Sequence, residues 1–139
     1  MSVKTIVGFI LRIIAVVILL QTLYFKFTGH PESVELFTKL GVEPWGRIGT
    51  GIFEVIASLL LLIPSTIFLG ALLGIGLMSG AILSHLTIIG IESKGDGGEL
   101  FILAIIVWIC CALIMLLYKQ RGVAIIKKFK KGKAELSIH

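Results

Sequence analysis

The stretch from residue 45 to residue 89, WGRIGTGIFEVIASLLLLIPSTIFLGALLGIGLMSGAILSHLTII, decides the fold. It holds two apolar runs, residues 45–63 and 67–89, joined by Pro64, Ser65 and Thr66. A helix needs about 20 apolar residues to cross the hydrocarbon core of a bilayer, which is about 30 Å thick. Both runs are near that length, and three residues leave room for a tight turn. The stretch therefore predicts an antiparallel pair of membrane-spanning helices.

Two further apolar runs, residues 5–25 and 99–118, lie on either side of this pair. The connection 26–44 contains Pro31, which is typical of a helix start. The apolar residues Val34, Phe37 and Leu40 follow at helical spacing. We therefore expect a short amphipathic helix on the membrane surface in this loop, ended by Gly41.

The composition agrees with a membrane protein. The chain has 139 residues, 57% of them hydrophobic and 15% charged, whereas soluble domains average about 45–50% apolar and about 25% charged residues. A soluble protein of this size could not bury so much apolar surface. We predict an all-α membrane protein, a four-transmembrane-helix bundle with the short helix in its first outer loop. Residues 1–118 form the membrane domain and residues 119–139 a basic cytoplasmic tail.

The distribution of basic residues predicts the orientation. Most of them lie before the first span's centre or in the tail: Lys4, Arg12, Lys119, Arg121, Lys127, Lys128, Lys130, Lys131 and Lys133. Four spans put both termini on one side, and the positive-inside rule makes that side cytoplasmic. The expected location is the cell membrane, with the loops 26–44 and 90–98 facing outward. The tail favours anionic lipids as partners over nucleic acid.

Small residues recur every four positions in the third span, first as Gly70 and Gly74 and then as Gly76, Gly80 and Ser84. Such rows let helix backbones approach closely in lipid. We expect close helix packing along both rows.

Glu54 is the polar residue of most interest, because it lies near the middle of the second span, with Ser58 one turn deeper. A charge at that depth costs about 2.5–3.5 kcal/mol on insertion scales, so it needs a partner or a use. Arg12, in the first span, is the candidate for a structural ion pair with Glu54. The alternative is that Arg12 extends to the cytoplasmic headgroups.

A second set of polar residues gathers at the outer ends of the spans: Gln21, Lys26, His85 and Glu99. Their similar heights predict a polar cavity that opens outward above Glu54. Each also has a simpler interpretation, since charges are normal at span ends and a lone histidine is often a hydrogen-bonded structural residue. The sequence assigns no catalytic residue. It also shows no metal site, because Cys110 and Cys111 are adjacent and lack zinc spacing.

The residues also resemble a known family. Residues 25–64, FKFTGHPESVELFTKLGVEPWGRIGTGIFEVIASLLLLIP, resemble the first loop and second helix of DoxX-like membrane proteins. GAILSHL at 80–86 and GDGGELFILAIIVW at 95–108 are similar to that family's third and fourth helices. The resemblance covers about residues 7–118. It implies a four-helix bundle and, because the family is named after a small subunit of an archaeal thiosulfate:quinone oxidoreductase, a link to quinones.

Two functions follow as hypotheses. In the first, the chain is an accessory subunit of a membrane redox system and binds a quinone or similar amphipathic molecule at Glu54, His85, Gln21, Lys26, Glu99 and Ser58. In the second, it is a non-enzymatic assembly or interaction partner, and the Arg12–Glu54 pair is structural. Both expect a second protein subunit or a second copy of the chain. Catalysis by the chain alone is not indicated, no cofactor other than quinone is, and a small transporter ranks last.

Overall fold

The computed structural model describes residues 2–92 and 97–138. All regular secondary structure in this part of the chain is helical. Four segments are long and apolar enough to cross a membrane, as predicted. They are built from α1 (Val3–Gln21) with its near-continuation α2 (Leu23–Thr28), α4 (Trp45–Leu62), α5 (Ile67–Ser84) with a π-helical turn (His85–Ile89), and α6 (Glu99–Leu117). The remaining helices are α3 (Pro31–Lys39) and α7 (Lys119–Ile138).

The four spans form a closed bundle in which each neighbour runs antiparallel. α1 packs against α4 and α6, and α5 packs against the same two helices. The centre is filled by apolar side chains from all four spans, among them Leu19, Leu61, Ala71, Val107, Cys111 and Ile114. We call the end that carries the chain termini the tail end, and the opposite end the α3 end.

The α4–α5 hairpin is closely packed at the tail end. The turn Pro64–Thr66 joins the two helices, and Thr66 Oγ1 donates to the Leu60 carbonyl at 2.9 Å. A Cβ atom added to Gly70 would lie 2.7 Å from the backbone nitrogen of Leu61, so the helix backbones touch there. A Cβ atom added to Gly74 would likewise lie 2.7 Å from Cys111 Sγ on α6. The prediction of close packing is confirmed at these two glycines.

The second row of small residues behaves differently. Nothing lies within 4 Å of a Cβ atom added to Gly76 or Gly80, so the prediction of close packing is wrong for this row. Counting equal rises along antiparallel helices from the Gly70–Leu61 contact puts Gly76 near the height of Glu54 and Gly80 near that of Thr50. At about 100° per residue, both glycines lie about 80–120° around α5 from Gly70, so this row faces away from the contact with Leu61.

The short helix of the first loop lies across the α3 end. α3 begins at Pro31, and the His30 side chain accepts a hydrogen bond from the Glu32 N–H at 3.3 Å. After its last turn the chain leaves through Gly41, whose φ of +74° favours glycine. α3 contacts α2, α4 and the π-helical turn. Its residue Phe37 is buried on the side that faces the bundle. In the other predicted outer loop, 90–98, residues 93–96 lie outside the described residues.

The basic tail forms the helix α7, which follows α6 after a single residue, Tyr118. Arg121 donates to the Pro64 carbonyl, and its guanidinium lies 5.0 Å from the centre of the Tyr118 ring. A Cβ atom on Gly122 would meet the Phe68 ring at 2.5 Å. These contacts fasten the first turn of α7 to the α4–α5 turn at the tail end.

Candidate ligand-binding cavity

A cavity of about 810 Å³ lies between the spans at the α3 end. Its volume is within the range of about 300–1,000 Å³ that is usual for small-molecule sites. Apolar side chains form most of its walls, including Leu19, Leu36, Phe37, Leu77, Ala81 and Leu103. Five of the predicted site residues line it: Gln21, Lys26, Glu54, His85 and Glu99.

Glu54 forms a buried ion pair with Lys26. Residues Gly46, Thr50 and Glu54 are four apart on α4 and line the cavity along one face of that helix. Lys26 Nζ lies 3.0 Å from Glu54 Oε2 and donates to Thr22 Oγ1 at 2.9 Å. The two charged side chains are 13% and 4% exposed, so the pair is shielded from bulk water.

Arg12 has a different role from the predicted one. Its Nε donates to the Leu61 carbonyl at 2.5 Å, and its NH2 donates to the Leu62 carbonyl at 2.9 Å. These carbonyls belong to the last turn of α4, where the backbone has no helical donor left and a cation is favourable. The prediction that Arg12 pairs with Glu54 is therefore replaced by an Arg12 cap on α4 and a Lys26–Glu54 pair.

Side-chain direction explains this choice of partner. The Arg12–Leu61 and Lys26–Arg47 contacts give the same antiparallel register, which puts Leu19 at the height of Glu54. Arg12 lies seven residues before Leu19 and Lys26 seven residues after it, so each is about 10 Å from Glu54 along the bundle axis. Helical side chains lean toward the N-terminus of their own helix. In this antiparallel arrangement Lys26 and Glu54 lean toward each other, whereas Arg12 leans away.

Arg47 supports the ion pair from behind, although the sequence analysis did not single it out. It is 9% exposed although charged. Its Nε donates to Glu43 Oε1 at 2.8 Å, and its NH1 donates to the backbone carbonyl of Lys26. The four-residue spacing of Glu43 and Arg47 beside an apolar run is the signal that could have found it. Arg47 thus holds the α2 backbone where Lys26 reaches Glu54.

We expect Arg47→Gln to destabilise the protein by about 1.5–3 kcal/mol, the usual contribution of a hydrogen bond to a charged group. The loss arises because the α2 carbonyl and the Glu43 carboxylate lose their shared donor. Unfolding of the purified protein in detergent measures the change. Lys39→Gln, which removes an equal charge from the exposed side of α3, is the control and should cost less than about 0.5 kcal/mol. Equal stability of the two variants would contradict this role.

His85 opens the π-helical turn and is buried. Its Nδ1 lies 2.9 Å from the Gly90 carbonyl, and its ring meets Phe101 edge-on with centroids 5.7 Å apart. Because a carbonyl oxygen can only accept, Nδ1 carries the proton, and Nε2 is the acceptor in the neutral ring. π-helical turns are frequent at functional sites. His85 can therefore present a fixed acceptor to a molecule in the cavity.

The other predicted residues lie at the edges of the site. Gln21, the last residue of α1, and Glu99, the first residue of α6, are exposed and form part of the mouth. Ser58 is buried one turn below Glu54, outside the lining of the cavity. Its hydroxyl has no hydrogen-bond partner within the described chain. Ser58 therefore does not line the cavity, unlike the other predicted site residues.

The cavity also has an opening at membrane depth. Gly76 and Gly80 line it, are exposed, and have empty space where a side chain would project. Because both glycines line the cavity and are also exposed, the cavity opens there to the outer surface of the bundle, which faces lipid in a membrane.

The arrangement suits an uncharged molecule with a polar ring and an apolar body. Lys26 offers donors, Glu54 and His85 offer acceptors, and the walls are apolar. Across residues 2–92 and 97–138, no three His, Cys, Asp or Glu side chains are grouped so as to hold a metal ion.

Comparison with known proteins gives one match. The model of the DoxX-like family matches residues 10–117, which include every residue that lines the cavity. Neither a curated protein nor a solved structure matches the chain.

Proposed function

Because this chain belongs to the DoxX-like family and is an integral membrane protein, we propose that its cavity binds a quinone or a similar amphipathic molecule. It does so as an accessory subunit of a membrane redox system, with a second protein subunit as its partner. In this proposal both termini are cytoplasmic and the cavity lies in the outer half of the cell membrane, as the distribution of lysines favours.

The observation that carries the proposal is the buried Lys26–Glu54 pair on the cavity wall. Burying an ion costs several kcal/mol, and apolar residues in the same place would often be equally stable or more so. A pair that lines a cavity can recover part of that cost by binding a polar group. This favours a ligand site over a purely structural pair.

The residues fit the two redox states of a quinone. The Lys26 ammonium can donate to a carbonyl oxygen of the oxidised ring, and His85 Nε2 can accept from a hydroxyl of the reduced ring. Reduction takes up two electrons and two protons. Glu54 and His85 can relay protons, and in this proposal the partner subunit supplies the electrons.

The opening beside Gly76 and Gly80 supports a ligand that arrives from the bilayer. Long-tailed quinones are dissolved in lipid, so entry beside these glycines needs no passage through water. The polar ring would stop at Lys26 and Glu54 while the tail remains in the opening.

Binding of a short-tailed quinone to protein in nanodiscs tests the proposal. We expect Glu54→Gln and His85→Ala each to raise the Kd of the reduced form, the quinol, at least about tenfold, equivalent to about 1.4 kcal/mol, because each removes an acceptor for a hydroxyl of the quinol ring. Equilibrium titration with separation of free quinone measures the Kd. Glu135→Gln, on the exposed tail helix, is the matched control and should leave the Kd unchanged. Binding no better than that of an unrelated membrane protein would overturn the proposal.

One observation favours the alternative, a non-enzymatic assembly partner. Lys26–Glu54 and Arg47–Lys26 both tie α2 to α4, so the charges could serve docking alone. In that case an apolar replacement of the whole pair would preserve function, and a partner protein should copurify from native membranes with that variant.

A further inference from the structure

The tail helix α7 leaves an apolar face uncovered. Val123, Ile126, Phe129 and Leu136 are exposed, Phe129 by 74% and Leu136 by 79%. At about 100° per residue, Ile125, Ile126, Phe129 and Leu136 fall within an arc of about 100° on one side of the helix. Of the neighbouring lysines, Lys133 falls within this arc, and the others lie outside it: Lys127, Lys128, Lys130 and Lys131.

A second cavity lies where α7 begins. It measures about 290 Å³ and is lined by Lys4, Thr5, Leu117, Tyr118, Gln120 and Arg121. Two cations, two hydroxyls and an amide are hydrogen-bond donors that suit a phosphate group. Arg121 is held in place by the Pro64 carbonyl and by the Tyr118 ring. The cavity therefore has a cationic side chain of fixed position.

Both features lie at the level of one membrane surface. α1 begins at Val3 and α6 ends at Leu117, so Lys4 and Arg121 are at the tail-end boundary of the spans. α7 starts at Lys119, directly after that boundary. A basic amphipathic helix in this position places its apolar face against acyl chains and its lysines among headgroups. Continuity with a span and charge complementarity both favour a lipid over a soluble macromolecule as the occupant.

We infer that α7 lies along the membrane surface at the tail end, and that the cavity between Lys4 and Arg121 binds the phosphate of an anionic phospholipid in that leaflet. This site is separate from the quinone cavity at the α3 end. Each of the two sites can fail without the other.

Native mass spectrometry of the full chain in nanodiscs of phosphatidylcholine and phosphatidylglycerol tests the headgroup site. We expect phosphatidylglycerol to remain bound to the wild-type protein. In the double variant Lys4→Gln/Arg121→Gln, the fraction of protein with bound phosphatidylglycerol should fall at least tenfold. The double variant Lys127→Gln/Lys130→Gln removes the same charge from the same end but outside the cavity, and it should lose much less of the lipid. Equal losses in the two variants would overturn the site, because they would show general attraction to lysines.

Two further arms separate other sources of phosphate. Inorganic phosphate and a short RNA are each added to protein in phosphatidylcholine nanodiscs. We expect neither phosphate nor RNA to bind at concentrations at which phosphatidylglycerol is retained. Binding of either one, without enrichment of phosphatidylglycerol, would overturn it.

The position of α7 has its own measurement. A fluorophore is attached through Phe129→Cys or Lys131→Cys in a protein with Cys110 and Cys111 replaced by alanine, and nitroxide-bearing lipid quenches it. We expect strong quenching at position 129 and weak quenching at position 131, since the two lie on opposite sides of the helix. Weak quenching at both positions would contradict a helix that lies on the membrane. Retention of folding is checked by the unchanged melting curve of the labelled proteins.

Discussion

Replacing Glu54 by leucine should lower the free energy of unfolding by about 3–5 kcal/mol, the usual cost of removing one partner from a buried ion pair. The variant leaves the Lys26 ammonium beside a leucine and Thr22 in a nearly dry part of the protein. Lys26→Met should cost a similar amount, because it leaves the carboxylate alone. Unfolding by detergent or heat, followed by circular dichroism, measures both. A cost below about 1 kcal/mol for either variant would contradict a buried pair.

The double variant Lys26→Met/Glu54→Leu separates stability from ligand binding. Apolar residues can replace a buried pair at little cost, so we expect the double variant to recover most of the stability lost by each single variant. If the cavity binds quinone through these charges, binding should remain lost in the stable double variant. If the pair is structural alone, function and partner association should return together with stability.

Two glycines on α5 should respond in opposite ways to alanine. Gly70→Ala should cost about 1–3 kcal/mol, a typical penalty for overpacking. The added Cβ would lie 2.7 Å from the Leu61 backbone nitrogen, and backbone cannot yield unless α4 and α5 move apart. Gly80→Ala meets no atom within 4 Å. It should leave stability unchanged or raise it by about 0.5–1 kcal/mol, because alanine is the better helix former.

The same unfolding assay compares the two variants, which differ in position and share the chemical change. Equal losses would mean that Gly80 packs against another helix, and the opening beside it would be absent. A larger residue extends the comparison. Gly80→Leu should keep the protein folded while weakening quinone binding, since its side chain projects into the cavity.

The spans, the hairpin and the short loop helix could be predicted from the sequence because lipid leaves few choices. A backbone in hydrocarbon must satisfy its hydrogen bonds within a helix, so a long apolar run specifies a spanning helix almost by itself. Pro31 and Gly41 then mark the ends of α3 by their backbone preferences. Most residues around the cavity could also be predicted, because the ends of spans on one side of the membrane lie at a similar depth.

The partner of Glu54 could not be predicted from depth alone. Arg12 and Lys26 are at equal distances along the axis from Glu54, and the direction in which helical side chains lean selects Lys26. Likewise, one small-residue pattern covers Gly70, which touches α4, and Gly80, which faces a gap. Spacing shows which small residues share a face of the helix, whereas which face meets another helix depends on how the whole bundle packs. The π-helical turn at His85 has no local sequence signal either.

The most direct test of the central claim, a ligand cavity built on the Lys26–Glu54 pair, is a density map of the protein extracted in nanodiscs from native membranes. We expect a non-protein molecule in the cavity, with a polar atom within hydrogen-bond distance of Lys26 and an apolar tail that leaves the cavity beside Gly80. A map in which the protein's own side chains fill this space, with Lys26 turned away from Glu54 toward the headgroups, would contradict it.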